Sequence, residues 1–155
     1  MNIKLLLFLA PTLFSAIHAS ARNPLNDNPD SIVGEYLVPD KKNGDSKVRF
    51  IRNADSTYDC QVFWLEVPTD PKTGKLWLDE RNPDKSKRNV RCDRLFIVRG
   101  LGYNAEKKQW DGAKIYDPNR GITARMTGKF LEDGTLEIRG TVLGIGETQR
   151  WIKLN

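Results

Sequence analysis

The chain has 155 residues, 39% of them hydrophobic and 29% charged, with 25 basic against 20 acidic side chains, one histidine and two cysteines. That length suits one domain around a single core. Charges of both signs are interspersed rather than massed in a stripe, so the surface reads as ordinarily solvated and nucleic acid is not an expected partner.

At the N-terminus, Lys4 precedes an apolar run from Leu5 to Ile17, shorter than the about 20 residues a membrane span requires. Ala19-Ser20-Ala21 follows as a small-residue cleavage site, so residues 1–21 read as a signal peptide, with cleavage after Ala19 as the alternative. No cysteine stands there to take a lipid. The expected product is a periplasmic or secreted monomer, with no transmembrane segment after processing. It loses His18 and Lys4, so 24 basic residues face 20 acidic ones and the net charge is +4. Residues 22–30 hold three Asn, two Asp and two Pro, the composition of a flexible lead-in. A domain over 31–155 should follow.

From there the pattern is β throughout. Strands are expected at Ile32–Val38, Lys47–Asn53, Thr57–Val67, Arg91–Leu101, Gln109–Tyr116, Ile122–Leu131, Thr135–Val142 and Glu147–Leu154, all rich in Val, Ile, Thr, Tyr, Phe and Trp. Turn chemistry separates them at Asn43-Gly44, Asp55-Ser56, Asp117-Pro118 with Gly121, and Asp133-Gly134. Leu136 and Ile138 alternate with Glu137 and Arg139, the period of a strand with one dry face. No window sustains a helical period. The fold class is therefore all-β, and eight short-linked strands favour a single up-and-down antiparallel barrel, since closure removes exposed edges. One connection, Pro68 to Asn89, is long and polar yet carries Leu76-Trp77-Leu78. Trp77 either caps the core or stands in a lid or binding-site rim.

Trp110-x-Gly112 with Ile115-Tyr116-Asp117-Pro118 and Gly121, then Leu136, Arg139 and Gly140, then Gly146 with Thr148-Gln149-x-Trp151, resemble the bacterial domain-of-unknown-function family 2147. Asn82-Pro83-Asp84 with Arg88 and Arg91 resembles a further family element. The resemblance runs from Ile32-Val33-Gly34 to Trp151 and implies a lipocalin-like, calycin-type barrel. Ala124 stands where the family pattern leads one to expect an aromatic, and glycines expected around Cys60 and Arg94 are missing. The family carries no established activity to transfer.

Asp117, Pro118 and Gly121 read as a turn device, and Gly112, Gly140 and Gly146 as places for bends or close strand packing. Asp117 and Asn119 offer oxygens to a cation, but the further carboxylates of a calcium loop are missing. Neither a metal nor a cofactor is expected. Catalysis is not expected either: without His18 no imidazole is left for a nucleophile or a metal, and nothing in the spacing selects a carboxylate pair such as Asp117 and Glu147. The remaining pattern is a binding site. Trp64, Trp110 and Trp151 would fill the core or wall a pocket, Trp77 would stand near its mouth, and Tyr116, Arg139 and Gln149 would supply polar contacts to a small apolar or lipid-like ligand. The alternative is an envelope protein partner held by the long loop. Cys60 and Cys92 are an even pair in an oxidising compartment, so a disulfide is expected in one strand register and two buried thiols in another.

Overall fold

The computed structural model describes residues 22–155; the expected signal peptide over 1–21 lies outside them. The eight strands are β1 (Gly34–Val38), β2 (Ser46–Arg52), β3 (Tyr58–Leu65), β4 (Phe96–Asn104), β5 (Gln109–Asp117), β6 (Ile122–Phe130), β7 (Leu136–Val142) and β8 (Ile145–Lys153). Each pairs antiparallel with its neighbour in sequence, and β8 returns to β1, closing a barrel. β4 begins at Phe96 rather than at Arg91, because Cys92–Arg94 curls into a 3-10 turn first.

Alternation decides what faces inward. Tyr36 on β1, Val48 and Phe50 on β2, Tyr58, Cys60 and Val62 on β3, Met126 and Phe130 on β6, and Leu136 and Ile138 on β7 are buried, with charged or polar residues between most of them. Trp110 meets Phe130 edge-on with centroids 5.6 Å apart, and Tyr103 lies 5.4 Å from Trp110. Phe50 packs on Trp151 at 6.0 Å. Sealing each such ring contributes about 1.5–3 kcal/mol over leaving it in water.

The connections 39–45, 66–95, 118–121 and 143–144 share one end of the barrel, the upper end; 53–57, 105–108, 131–135 and the lead-in share the other. The lower end is closed by the lead-in, which corrects the reading of 22–30 as flexible. Pro24–Asp27 and Pro29–Ile32 form 3-10 turns capped by the Asn23 and Asn28 side chains. Asn26 is 1% exposed. Its amide donates to the Phe130 carbonyl and accepts from the Phe130 N–H, both at 2.8 Å, imitating a strand's backbone. Trp110 Nε1 donates to the Pro29 carbonyl at 3.0 Å, and the Tyr103 hydroxyl to that of Asn26 at 2.7 Å. Asparagine and proline here serve as caps and preset turns, so polar composition does not mean disorder.

The upper end is different. β1 and β8 pair only at Tyr36–Lys153 and Leu37–Ile152. β1 then stops at Val38, because Pro39 has no N–H to donate. Above that point, the outer edge of β8 has no strand partner among the described residues. The barrel wall is therefore short on this side.

Candidate functional site

The expected pocket residues do not converge. Trp110 is fully buried and tied to the lead-in, so it belongs to the sealed lower half. Trp64 shares the parity of Tyr58, Cys60 and Val62, yet it faces outward. The β2–β3 register shifts between Lys47 and Val48, which turns Trp64 out beneath the Lys47 ammonium, 4.8 Å above its ring. Arg139 is also outside, since Leu136, Ile138 and Gly140 take the inner face of β7. Its guanidinium lies over Gly146, where a β-carbon would collide with it, and its Nη1 donates to Thr148 Oγ1 at 3.4 Å. Gly146 is thus the space that lets Arg139 lie flat across β8.

Tyr116 alternates with Ile115 and pairs with Thr123, which places it on the outer wall. The long loop covers it there. Thr69–Leu76 and Leu78–Arg91 bridges fold the loop into hairpins, with Trp77 half-exposed between them. The Tyr116 hydroxyl donates to Asp79 Oδ1 at 2.6 Å, and Asn82 donates to Oδ2 at 2.6 Å. Burial first, and the Asp79 carboxylate second, push the Tyr116 hydroxyl well above its ordinary pKa and keep it protonated. A cleft of about 410 Å³ remains between the loop and β4–β6, with Val90, Phe96, Arg99 and Thr123 among its walls.

The loop rests on the turn of the Asp117-Pro118 motif. Asp117 Oδ1 caps the Asn119 N–H at 2.9 Å. Arg81 Nη1 donates to the Asn119 carbonyl at 2.5 Å. Gly121 has φ +66°, and a β-carbon there would meet the Arg81 carbonyl. Gly121 thus serves both the turn and the docking of the loop. No signal in the local sequence connects Arg81 to this turn, because the contact spans 38 residues.

Two of the expected residues do meet on the inner face of the upper half: Trp151 and Gln149 on β8. Trp151 Nε1 donates to Gln149 Oε1 at 3.1 Å. Gln149 points inward, opposite Ile138, yet is exposed, because the wall beside it is short. Around them the inward positions of the upper half are Val38, Ser46, Leu65, Ile115, Ala124 and Gly140. These are small or half-buried side chains where the lower half has tryptophan, phenylalanine and tyrosine. Ala124 in particular is a small inward residue at the position where the family pattern leads one to expect an aromatic. The inner face of the upper half thus carries mostly small or half-buried side chains, with the buried Trp151 below them and the exposed Gln149 amide beside them.

Sequence reasoning missed the residue at the rim. Arg120 projects from the β5–β6 turn and reaches Glu147 on β8 with two hydrogen bonds, Nη1–Oε1 at 2.9 Å and Nη2–Oε2 at 2.5 Å, while Nε donates to Asp117 Oδ2 at 2.6 Å. Glu147 shares the inner parity of Gln149, so the pair spans the mouth from one turn to the far strand. The Arg120 hydrogen bond holds the Glu147 carboxyl below its ordinary pKa. This opposes a general acid, whose pKa has to be raised.

Cys60 and Cys92 are not bridged, which corrects the expected disulfide. Cys60 lies opposite Val98 and faces the core, whereas Cys92 sits on the 3-10 turn beneath the loop. Burial, then the neighbouring Asp79, pushes the Cys92 thiol up to about 11. Burial raises that of Cys60 well above the ordinary value.

Residues 34–153 match the family model described as an uncharacterized protein conserved in bacteria, DUF2147. No curated protein matches the chain. Among solved structures, the chain is similar to protein HP1028 from Helicobacter pylori, described as belonging to the lipocalin family. The two share 22% identity over 80% of this chain and 83% of that one, with a TM-score of 0.64. At that identity the likeness supports the fold, a lipocalin-like barrel.

Proposed function

The chain belongs to the bacterial family DUF2147, and we propose that it is a non-enzymatic carrier of a small, largely apolar ligand in the bacterial envelope. It would reach the periplasm or the exterior by way of the signal peptide expected over 1–21. The observation that supports the carrier reading is the contrast between the two halves of one barrel. Below, aromatic rings and the lead-in fill the interior. Above, Ala124, Gly140 and Ser46 replace them, Gln149 is wet, and the wall is short beside it. An acyl or similarly slender chain would lie in this upper half, with its polar end at Gln149 and the rim.

The lipocalin-like fold of the neighbour HP1028 agrees with this reading without specifying a ligand. The clasp of Arg120 with Glu147 suits an acidic end group, since a ligand carboxylate would offer Arg120 the same paired oxygens that Glu147 does. Titration of intrinsic fluorescence with fatty acids of graded length tests the proposal. Wild type should respond saturably, Trp151→Phe should lose most of the response, and Trp64→Phe and Trp77→Phe should retain it. No response across the acyl series, or a response that survives in Trp151→Phe, refutes a ligand seated on Trp151.

A further inference from the structure

The β7–β8 hairpin ends in Val142-Leu143-Gly144-Ile145, and two of its apolar side chains stand largely in water. Leu143 is 99% exposed and Ile145 78%. The turn is the two-residue kind in which both central residues take positive φ, here +47° for Leu143 and +82° for Gly144. Asparagine and glycine adopt this conformation at lower cost than leucine does. Leu143 therefore satisfies neither the core nor the turn.

The wall beneath this tip is basic. Lys114 on β5, Arg125 on β6 and Arg139 on β7 all face outward: Lys114 pairs with Arg125, Arg125 with Thr141, and Arg139 with Thr148. All three are exposed, and none forms an ion pair among the described residues. Arg139 lies four positions from Leu143, about 13 Å along the strand. An apolar tip that sinks about 5–10 Å into a bilayer would set these cations among the headgroups.

We infer that this tip and wall form a docking surface for an anionic lipid membrane, with Leu143 and Ile145 inserted and Lys114, Arg125 and Arg139 at the phosphates. The charge of the wall selects a lipid leaflet with anionic headgroups over a neutral apolar partner. The tip belongs to the upper end, so docking would bring the mouth of the barrel against the lipid. The inference does not depend on what the barrel holds, and it can fail or succeed without the carrier reading.

The test is co-sedimentation of the protein lacking residues 1–21, delipidated beforehand, with phosphatidylethanolamine–phosphatidylglycerol vesicles and with phosphatidylcholine vesicles. The described fold lies wholly within the protein used. Partition should favour the anionic vesicles and fall by about fivefold for each of Lys114→Gln and Arg125→Gln. Leu143→Asn should weaken it by about tenfold or more, while leaving the melting temperature unchanged or higher, because asparagine suits the turn. A merely structural leucine would not give these opposite signs. Equal partition of wild type and Leu143→Asn, or equal partition onto the two vesicle types, overturns the inference.

Discussion

Replacing Asn26 with alanine should separate a docked lead-in from a loose one. The Asn26 amide makes two hydrogen bonds to the Phe130 backbone, at 2.8 Å each, from a position 1% exposed. Each bond nets about 1 kcal/mol, and each backbone group left buried without a partner costs about 1–3 kcal/mol instead. Partial entry of water softens the second contribution, so the loss should be about 3–4 kcal/mol. For a chain of this length that lowers the melting temperature by about 10–15 °C. Urea unfolding followed by circular dichroism measures it, with the midpoint falling and the slope unchanged. The Trp110 indole and Tyr103 hydroxyl bond to lead-in carbonyls, so near-ultraviolet circular dichroism should weaken as well. A melting temperature within about 2 °C of wild type would refute a lead-in that closes the barrel.

Gly121→Ala should free the long loop rather than unfold the barrel: a left-handed alanine costs about 1–2 kcal/mol, and its β-carbon displaces Arg81. Limited proteolysis should then cut within 70–90 in the variant and not in wild type. The Arg120–Glu147 clasp gives a pH dependence of defined sign. Glu147 is depressed in the folded state, so its contribution is present at neutral pH and is lost as pH falls through the depressed value. Glu147→Gln should melt slightly below wild type at neutral pH and converge with it only in acid, below the depressed value; a gap that widens in acid contradicts the clasp. Both thiols should label slowly in the native protein at about pH 8 and fully after denaturation, and an intact mass two hydrogens light would show a bridge instead.

The barrel was legible because turn chemistry punctuates it and because apolar residues alternate within each strand. Arg139 could have been placed outside from the same rule, since it shares parity with Glu137 rather than with Leu136 and Ile138. Gln149 and Trp151 share parity in the same way, and they are the expected pair that the fold brings together. Trp64 was not legible, because a bulge changes the face of a strand without leaving a mark in its composition. Asn26 and Asp79 look like solvated loop residues until the backbone of Phe130 or the hydroxyl of Tyr116 comes into view from far along the chain. The cysteines hung on register alone. With Cys60 opposite Val98, Cys92 lies too far along the chain to meet it. Arg120 was missed for a related reason, because its partner Glu147 lies across the mouth of a barrel that only the closed topology defines.

The central claim is that the upper half of the barrel holds an apolar ligand while the lower half is sealed. Native mass spectrometry of the protein isolated from cells that export it, followed by organic extraction, tests this most directly. A one-to-one adduct that extracts into organic solvent, and that Ala124→Trp excludes by filling the upper half, is the expected result. A bare polypeptide that also fails to take up any acyl chain added in excess would contradict it.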